Sequence, residues 1–261
     1  YEQGTLNADV DNAQRVEVAT DTVHSKQPDN ANIANLFILK TYLAVLFQRP
    51  ADALVFATPA RANLYAVASS PAIPFFVLYE SLACINVLNT VSARQRLALR
   101  IRIRVNQRQL RKWSHHAPQN HLHGYHMVAA ELARIDEQQQ QASEHYEQAI
   151  NLAEIHGYQK EYGLANELAG RFHDGQNRAG LALFYIERAR SCYTRWGAMN
   201  KVEALEKEFT QLASSPRAIH NSPSRLPADA YTNYGNFLDL GAVIKATQVL
   251  SGEIILNNLL E

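Results

Sequence analysis

The chain has 261 residues, of which 47% are hydrophobic and 19% charged, a composition typical of a folded globular protein that buries a sizeable core. Basic and acidic residues number 25 each, so the overall charge argues against a general binder of nucleic acids or anionic membranes. Cys84 and Cys192 lie in apolar patterns and suggest no disulfide framework, which predicts a reducing, cytoplasmic location.

The N-terminal part contains one strongly apolar stretch. Residues 1–31 form a poorly defined segment, and the following "NLFILKTYLAVLF" predicts a core helix over 33–47. A membrane span needs about 20 predominantly apolar residues; this stretch is shorter and carries Lys40 in its middle, so we expect no membrane partner. Because the chain starts at Tyr1 without a signal peptide and ends in a helical pattern, we expect it to be part of a longer protein.

A pair of helices is predicted next, over 74–89 and 93–114. The second helix begins with the pattern of a capping box, formed by Ser92 and Gln95. Within it, "LALRIRIRV" alternates apolar and charged residues, which alone is typical of a half-buried strand. We interpret this stretch as helix, because helical patterns flank it and no hairpin partner is near.

The same helix carries the strongest local charge of the sequence, with eight basic residues and no acid between Arg94 and Lys112. We define a basic stripe by its members at four-residue intervals: Arg96, Arg100, Arg104, Arg108 and Lys112. One interpretation is an anion-binding surface for an acidic partner or a nucleic acid. The other is a solvated face that pairs with acids on the next helix or contacts another domain. We favour the second, and predict no nucleic-acid partner, because no aromatic residues or nucleic-acid motifs accompany the charge.

Five of the ten histidines lie in "WSHHAPQNHLHGYHM", namely His115, His116, His121, His123 and His126. A zinc or iron site on a helix combines ligands at i and i+3 or i+4 with carboxylates or thiolates, and no motif of that kind is present. Pro118 favours the first turn of a new helix, which would place His115 and His116 at a helix–helix corner above Trp113. We therefore interpret the histidines as packing and capping residues rather than metal ligands.

Two stretches, 129–157 and 165–197, resemble each other. Their first helices share Glu-Leu-Ala, and their second helices share a small–large–small pattern, at Ala142, Tyr146 and Ala149 and at Ala182, Ile186 and Ala189. A weaker copy of this pattern lies at Ala53, Ala57 and Ala60. The first helices are 36 residues apart and the second helices 40, which predicts a longer turn in the second copy. Small residues at such spacing let helical hairpins stack closely.

The predicted fold class is all-α. We expect an α-solenoid of about four tetratricopeptide-like helical hairpins over 32–212, then a Pro/Ser-rich linker over 213–236 and a connector helix over 237–261. No phosphate-loop, dinucleotide, kinase or nucleophile-elbow motif is present, and the acids follow the pattern of solvated helix faces. We therefore predict no catalytic, cofactor-binding or metal-ligating residue in this chain.

Four stretches together resemble one protein family: "KWSHHAPQNHLHGYHMVAAELAR", "YEQAINLAEIHGYQKEYGLANELAGRF", "ARSCYTRWGAMNKVEALE" and "LDLGAVIKATQVLSGEIILNNLLE". They are similar to the helical-repeat region of large multidomain signalling kinases. Such proteins combine a serine/threonine-kinase-like domain, an AAA-type ATPase domain, this helical region, a GAF sensor domain and a histidine kinase. The resemblance implies that ATP binding and catalysis lie in other domains, and that the last helix leads into the GAF domain.

Three functions follow as hypotheses. The first is a regulatory scaffold that binds protein, either neighbouring domains or a signalling partner, along a broad concave surface and relays conformational bias through the connector helix. The second is a free-standing helical-repeat module that binds a peptide or ligand. The third, which we rank last, is an enzyme that uses the histidine cluster.

Overall fold

A computed structural model describes residues 29–68 and 70–210, and within them the only regular structure is helical. The helices are α1 (Asn30–Leu46), α2 (Pro50–Ala62), a short 3-10 helix (Leu64–Val67), α3 (Ala72–Asn86), α4 (Ala93–His116), α5 (Pro118–Ile135), α6 (Gln139–Ile155), α7 (Gln159–Asp174), α8 (Ala179–Trp196) and α9 (Met199–Glu208). This confirms the predicted all-α class. The predicted linker and connector helix, and most of the N-terminal segment, lie outside the described residues.

The helix boundaries follow local signals in the sequence. Asp29 caps α1, where its carboxylate accepts a hydrogen bond from the backbone N–H of Ala31 at 2.9 Å. Ser92 and Gln95 form the predicted capping box at the start of α4, and this helix runs without a break through "LALRIRIRV", as predicted. Pro118 occupies the first turn of α5, and Gly197, with φ of 82°, ends α8.

The helices pack as successive hairpins. Each odd-numbered helix from α1 to α7 contacts the next odd-numbered helix, so these four helices form an inner row. The even-numbered helices α2, α4, α6 and α8 pack mainly against their neighbours in the sequence and lie outside that row. This arrangement is consistent with an α-solenoid or a helical bundle.

The small–large–small residues lie in the core, as expected for a hairpin stack. All nine residues of the three copies are buried: Ala53, Ala57, Ala60, Ala142, Tyr146, Ala149, Ala182, Ile186 and Ala189. The close contact between α7 and α8 also depends on Gly170, because a Cβ atom there would lie 2.6 Å from Cγ1 of Ile186 and 3.1 Å from the Ala182 carbonyl oxygen.

The extra residues of the second copy lie mostly in a helix, not in the turn. After Glu131, α5 continues to Ile135, whereas after Glu167 α7 continues to Asp174, nearly one helical turn further. The turns that follow are 136–138 and 175–178, which differ by one residue. The prediction of a turn lengthened by four residues was therefore wrong.

The helices of the inner row pack closely against each other, whereas a broad concave surface was expected of a solenoid. Residues 76–85 of α3 and 161–170 of α7 are buried without interruption. The Tyr79 hydroxyl donates a hydrogen bond to Oε1 of Glu161 at 3.2 Å and so joins α3 to α7. The Tyr79 ring also packs on Tyr42 of α1, with centroids 4.8 Å apart. Aromatic side chains therefore fill the space where a groove was expected.

None of the described helices combines the length and the apolar character that crossing a bilayer requires.

Candidate functional site

The histidine-rich segment spans the corner between α4 and α5, and its side chains point in different directions. His115 and His116 are exposed, and their ring centroids lie 5.6 Å apart. Trp113 packs on His121, with centroids 5.9 Å apart, rather than beneath the exposed pair. His123 is buried and stacks on Tyr158 at 4.3 Å. The predicted position of His115 and His116 at this corner is confirmed, whereas the predicted packing of Trp113 beneath them is wrong.

One histidine pair spans two helices. Nδ1 of His126 on α5 lies 3.0 Å from Nδ1 of His145 on α6. Burial, followed by the proximity of His145, lowers the pKa of His126 to about 4. Burial also lowers the pKa of His123 to about 3. The rings of His123 and His126 are therefore neutral near pH 7. His123 acts as a packing group against Tyr158, and His126 is a hydrogen-bonding partner of His145.

The described residues contain no group of three histidine, cysteine, aspartate or glutamate side chains placed to hold a metal ion. Both cysteines are buried, and burial raises the pKa of the thiol to about 12 in Cys84 and about 11 in Cys192. These thiols are protonated at neutral pH and are poor nucleophiles. The thiol of Cys192 donates to the Gln159 carbonyl oxygen at 2.9 Å, which is a structural contact.

Buried glutamates on the inner helices form ionic clusters that we did not predict from the sequence. Glu80 on α3 accepts from Nε of Arg61 at 2.6 Å and from Nη1 of Arg102 at 3.0 Å. Glu131 on α5 accepts from Nη2 of Arg134 at 2.6 Å and from the Tyr146 hydroxyl. These carboxylates are 2–3% exposed, so they are not the solvated acids that we expected.

The third cluster, centred on Glu167 of α7, connects the two ends of the described chain. Glu167 accepts from Nη2 of Arg171 at 2.9 Å, from the Tyr193 hydroxyl at 2.9 Å and from Nζ of Lys201 at 2.8 Å. The Lys201 ammonium, on α9, also donates to the Leu46 carbonyl oxygen at the end of α1. Its side chain is only 2% exposed, and burial lowers its pKa despite the nearby carboxylate.

A signal for two of these clusters was present in the sequence. Both Glu-Leu-Ala copies are followed by an arginine on the same helix face, Arg134 three residues after Glu131 and Arg171 four residues after Glu167. The long-range partners carried no comparable signal. The clusters are structural, because every charge in them faces a partner within the fold.

A shallow depression lies beside the Lys201 cluster, with a volume of about 250 Å³. Leu43, Leu46 and Phe47 from the end of α1 form one side, and residues 196–201 at the α8–α9 turn form the other. Pockets for small molecules usually have volumes of about 300–1,000 Å³ and enclose most of the ligand. This depression is smaller and open, so it does not resemble such a pocket.

The outer surface of α4 is the strongest candidate for an interaction site. We define the α4 outer face by its apolar residues Leu97, Ile101 and Val105 and its basic residues Arg94, Arg104, Arg108, Arg111 and Lys112. The three apolar side chains are 62%, 53% and 50% exposed. The five basic residues are exposed and have no carboxylate within ion-pair distance among the described residues.

The remaining basic residues of α4 are engaged within the fold. Arg100 pairs with Asp136, just after α5, at 2.8 Å, and Arg102 reaches the buried Glu80. Arg96 donates to the Leu88 carbonyl oxygen at 2.9 Å. The interpretation as a face that pairs with nearby acids therefore holds for part of the basic residues, including Arg100 of the stripe. Arg104, Arg108 and Lys112 of the stripe belong to the unpaired part.

Comparison with known proteins indicates a relation to signalling kinases over part of the chain. The chain is 36% identical over 67 residues to Hybrid signal transduction histidine kinase G of Dictyostelium discoideum. The matched stretch covers 26% of this chain and spans only 2% of the length of that relative. No protein-family model matches the chain, and no solved structure matches it either.

Proposed function

We propose that this chain is a non-catalytic regulatory region of a multidomain signalling kinase, and that it acts by contacting protein. The observation that carries the proposal is the helical stack with an unpaired basic and apolar outer face, together with the partial similarity to a hybrid histidine kinase. In this proposal ATP is bound by catalytic domains elsewhere in the longer protein, and no residue of this chain contacts it. The hairpins would be a divergent form of the tetratricopeptide repeat.

The packed interior supports contacts through the outer surface rather than through a concave groove. Tyr79 and Glu161 bond across the inner row, so a peptide could enter there only by separating α3 from α7. This weighs against the alternative of a module that holds a peptide in its interior. We propose that partners, including neighbouring domains such as an AAA-type ATPase and a GAF domain, bind the outer helices.

The nucleotide sequence on either side of this coding region tests the kinase context. We expect the reading frame to continue upstream into serine/threonine-kinase-like and ATPase domains, and downstream into GAF and histidine kinase domains. Stop codons close to both ends of the coding region would contradict the proposal and favour a free-standing module.

The regulatory role is tested in the longer protein itself. Replacing residues 30–210 with an unrelated helical repeat of similar length should leave basal histidine autophosphorylation in place but abolish its change on stimulation. A stimulus response equal to that of the unaltered protein would show that the region is only a spacer.

A further inference from the structure

We propose that the α4 outer face binds an acidic amphipathic helix of a protein partner. The inference deepens the proposed function, since it names the surface and the kind of partner through which the regulatory region acts. It is carried by the juxtaposition on one helix of three exposed aliphatic side chains and five cations without partners among the described residues.

These residues form one continuous strip along the helix. Leu97, Ile101 and Val105 follow each other at four-residue intervals, and residues so spaced lie above one another on the same side of a helix. Arg94 lies one turn before Leu97, and Arg108 lies one turn after Val105. The opposite side of the helix is anchored, since Ile103, Asn106 and Leu110 are buried against the fold. The strip is therefore rigidly presented by a helix of 24 residues.

The charge of the strip determines the charge of its partner. No aspartate or glutamate occurs anywhere in α4, so a partner surface meets positive potential along its full length. Acidic side chains that flank the contact would be attracted, whereas basic ones would be repelled. Such rim charges contribute to association rate and to specificity more than to affinity.

The apolar residues favour a protein helix over a nucleic acid. Phosphate contacts rely on cations and hydrogen-bond donors, and base contacts made by proteins commonly involve polar or aromatic side chains. Three aliphatic side chains at the centre of the strip gain from burial against other apolar groups, which an amphipathic helix supplies at matching i, i+3 and i+4 spacing. A partner helix that lies along α4 would cover the apolar centre and place its own acidic side chains beside the arginines.

The test uses the complete 261-residue chain and a synthetic probe. The probe is a three-heptad peptide with leucine at the two core positions of each heptad and glutamate at the flanking positions. A matched peptide carries lysine in place of every glutamate. Binding is measured by fluorescence anisotropy at low and high salt. We expect saturable binding of the acidic peptide that weakens with salt, and binding of the basic peptide that is at least tenfold weaker.

Two variants of the face should each weaken binding of the acidic peptide about tenfold or more. One replaces the apolar centre with serine (L97S/I101S/V105S), and the other reverses two charges (R104E/R108E). A control with two apolar residues on other helices that are at least as exposed, V55S/I155S, should bind as the unaltered chain does. All of these positions are exposed, and far-ultraviolet circular dichroism checks that each variant is folded.

Three results would overturn the inference. The first is equal binding of acidic and basic peptides, and the second is equal binding of the acidic peptide to the unaltered chain and to both variants. The third is tighter binding of a 20-base-pair DNA or RNA duplex that the serine substitutions leave unchanged, which would assign the face to nucleic acid. The binding assay needs no kinase domain, so its outcome is independent of the reading-frame test of the proposed function.

Discussion

At the scale of single residues, the buried charged side chains do most to specify how the helices pack. Glu80, Glu131 and Glu167 each lie on an inner helix, and each is bonded to an arginine and at least one further donor. A buried ion pair contributes little net stability compared with apolar residues of the same shape, but loss of one partner leaves an unpaired charge in the core. These clusters therefore fix which helices pack together.

Glu167→Gln tests this role. The substitution keeps the shape of the side chain but leaves the buried Lys201 ammonium without a carboxylate. We expect the free energy of unfolding, measured by urea denaturation, to fall by about 3 kcal/mol or more. Glu203→Gln, on the exposed side of α9, is the matched control and should change it by less than about 0.5 kcal/mol. Equal stability of the two variants would show that the Glu167 cluster is not energetically important.

The neutral histidines make the fold sensitive to acid. The pKa of His123 is about 3 in the folded chain and about 6.5 when unfolded, so the unfolded state binds the proton more readily. The contribution of His123 to stability is therefore complete above pH 6.5 and is lost as the pH falls below that value. Between pH 7.5 and pH 5 this loss amounts to about 2 kcal/mol.

His123→Phe should reduce this acid sensitivity, because a phenyl ring can stack on Tyr158 and does not titrate. We expect the decrease in unfolding free energy between pH 7.5 and pH 5 to be about 2 kcal/mol smaller than in the unaltered chain. His116→Phe, at an exposed position, serves as the control and should leave the pH dependence as it is. If His123→Phe retained the full pH dependence, another group would be responsible.

At the scale of helices, close approach between α7 and α8 depends on glycine. A Cβ atom at Gly170 would overlap Ile186, whereas one at Gly180, in the first turn of α8, would meet nothing within 4 Å. The same substitution to alanine should therefore have opposite effects at the two positions. The contrast separates steric exclusion from the general preference of helices for alanine.

Gly170→Ala should destabilise the fold by about 1–3 kcal/mol through overpacking, while Gly180→Ala should stabilise it by about 0.5 kcal/mol. Melting temperatures followed by circular dichroism measure both changes. A stabilising effect at Gly170 would mean that α7 and α8 lie further apart than described.

The helices were largely predictable from sequence, because their signals are local. The Ser92 capping box, Pro118 and Gly197 each mark a helix end through bonds or dihedral angles within a few residues. The small–large–small pattern likewise indicates which face of a helix is buried. Boundaries shifted by a few residues, as in α3, which was predicted over 74–89 and runs over Ala72–Asn86.

Contacts across the molecule were not predictable in the same way. The bond from Tyr79 to Glu161 joins residues 82 positions apart, and that from Lys201 to the Leu46 carbonyl joins residues 155 apart. No spacing rule connects such residues, because their approach depends on how all the hairpins stack between them. The α4 outer face was visible only as a run of basic residues, since the exposure of its apolar residues depends on which side of α4 the fold covers.

For the whole molecule, the closed inner row is the feature on which the functional account depends. If α3 and α7 are enclosed, binding must use the outer helices, and the α4 outer face becomes the principal surface. If they instead line an open groove, the groove itself would be the expected binding site of a helical-repeat protein. The two arrangements differ in how well the inner helices are protected from solvent.

Hydrogen exchange followed by mass spectrometry distinguishes these arrangements most directly. For the complete chain near neutral pH, we predict that amides of 76–85 and 161–170 exchange slowest, at a rate set by global unfolding. Amides in the outer helices α2 and α4 should exchange sooner, through local opening. Exchange of the two inner segments as fast as that of the outer helices would contradict the packed interior and, with it, the assignment of binding to the outer surface.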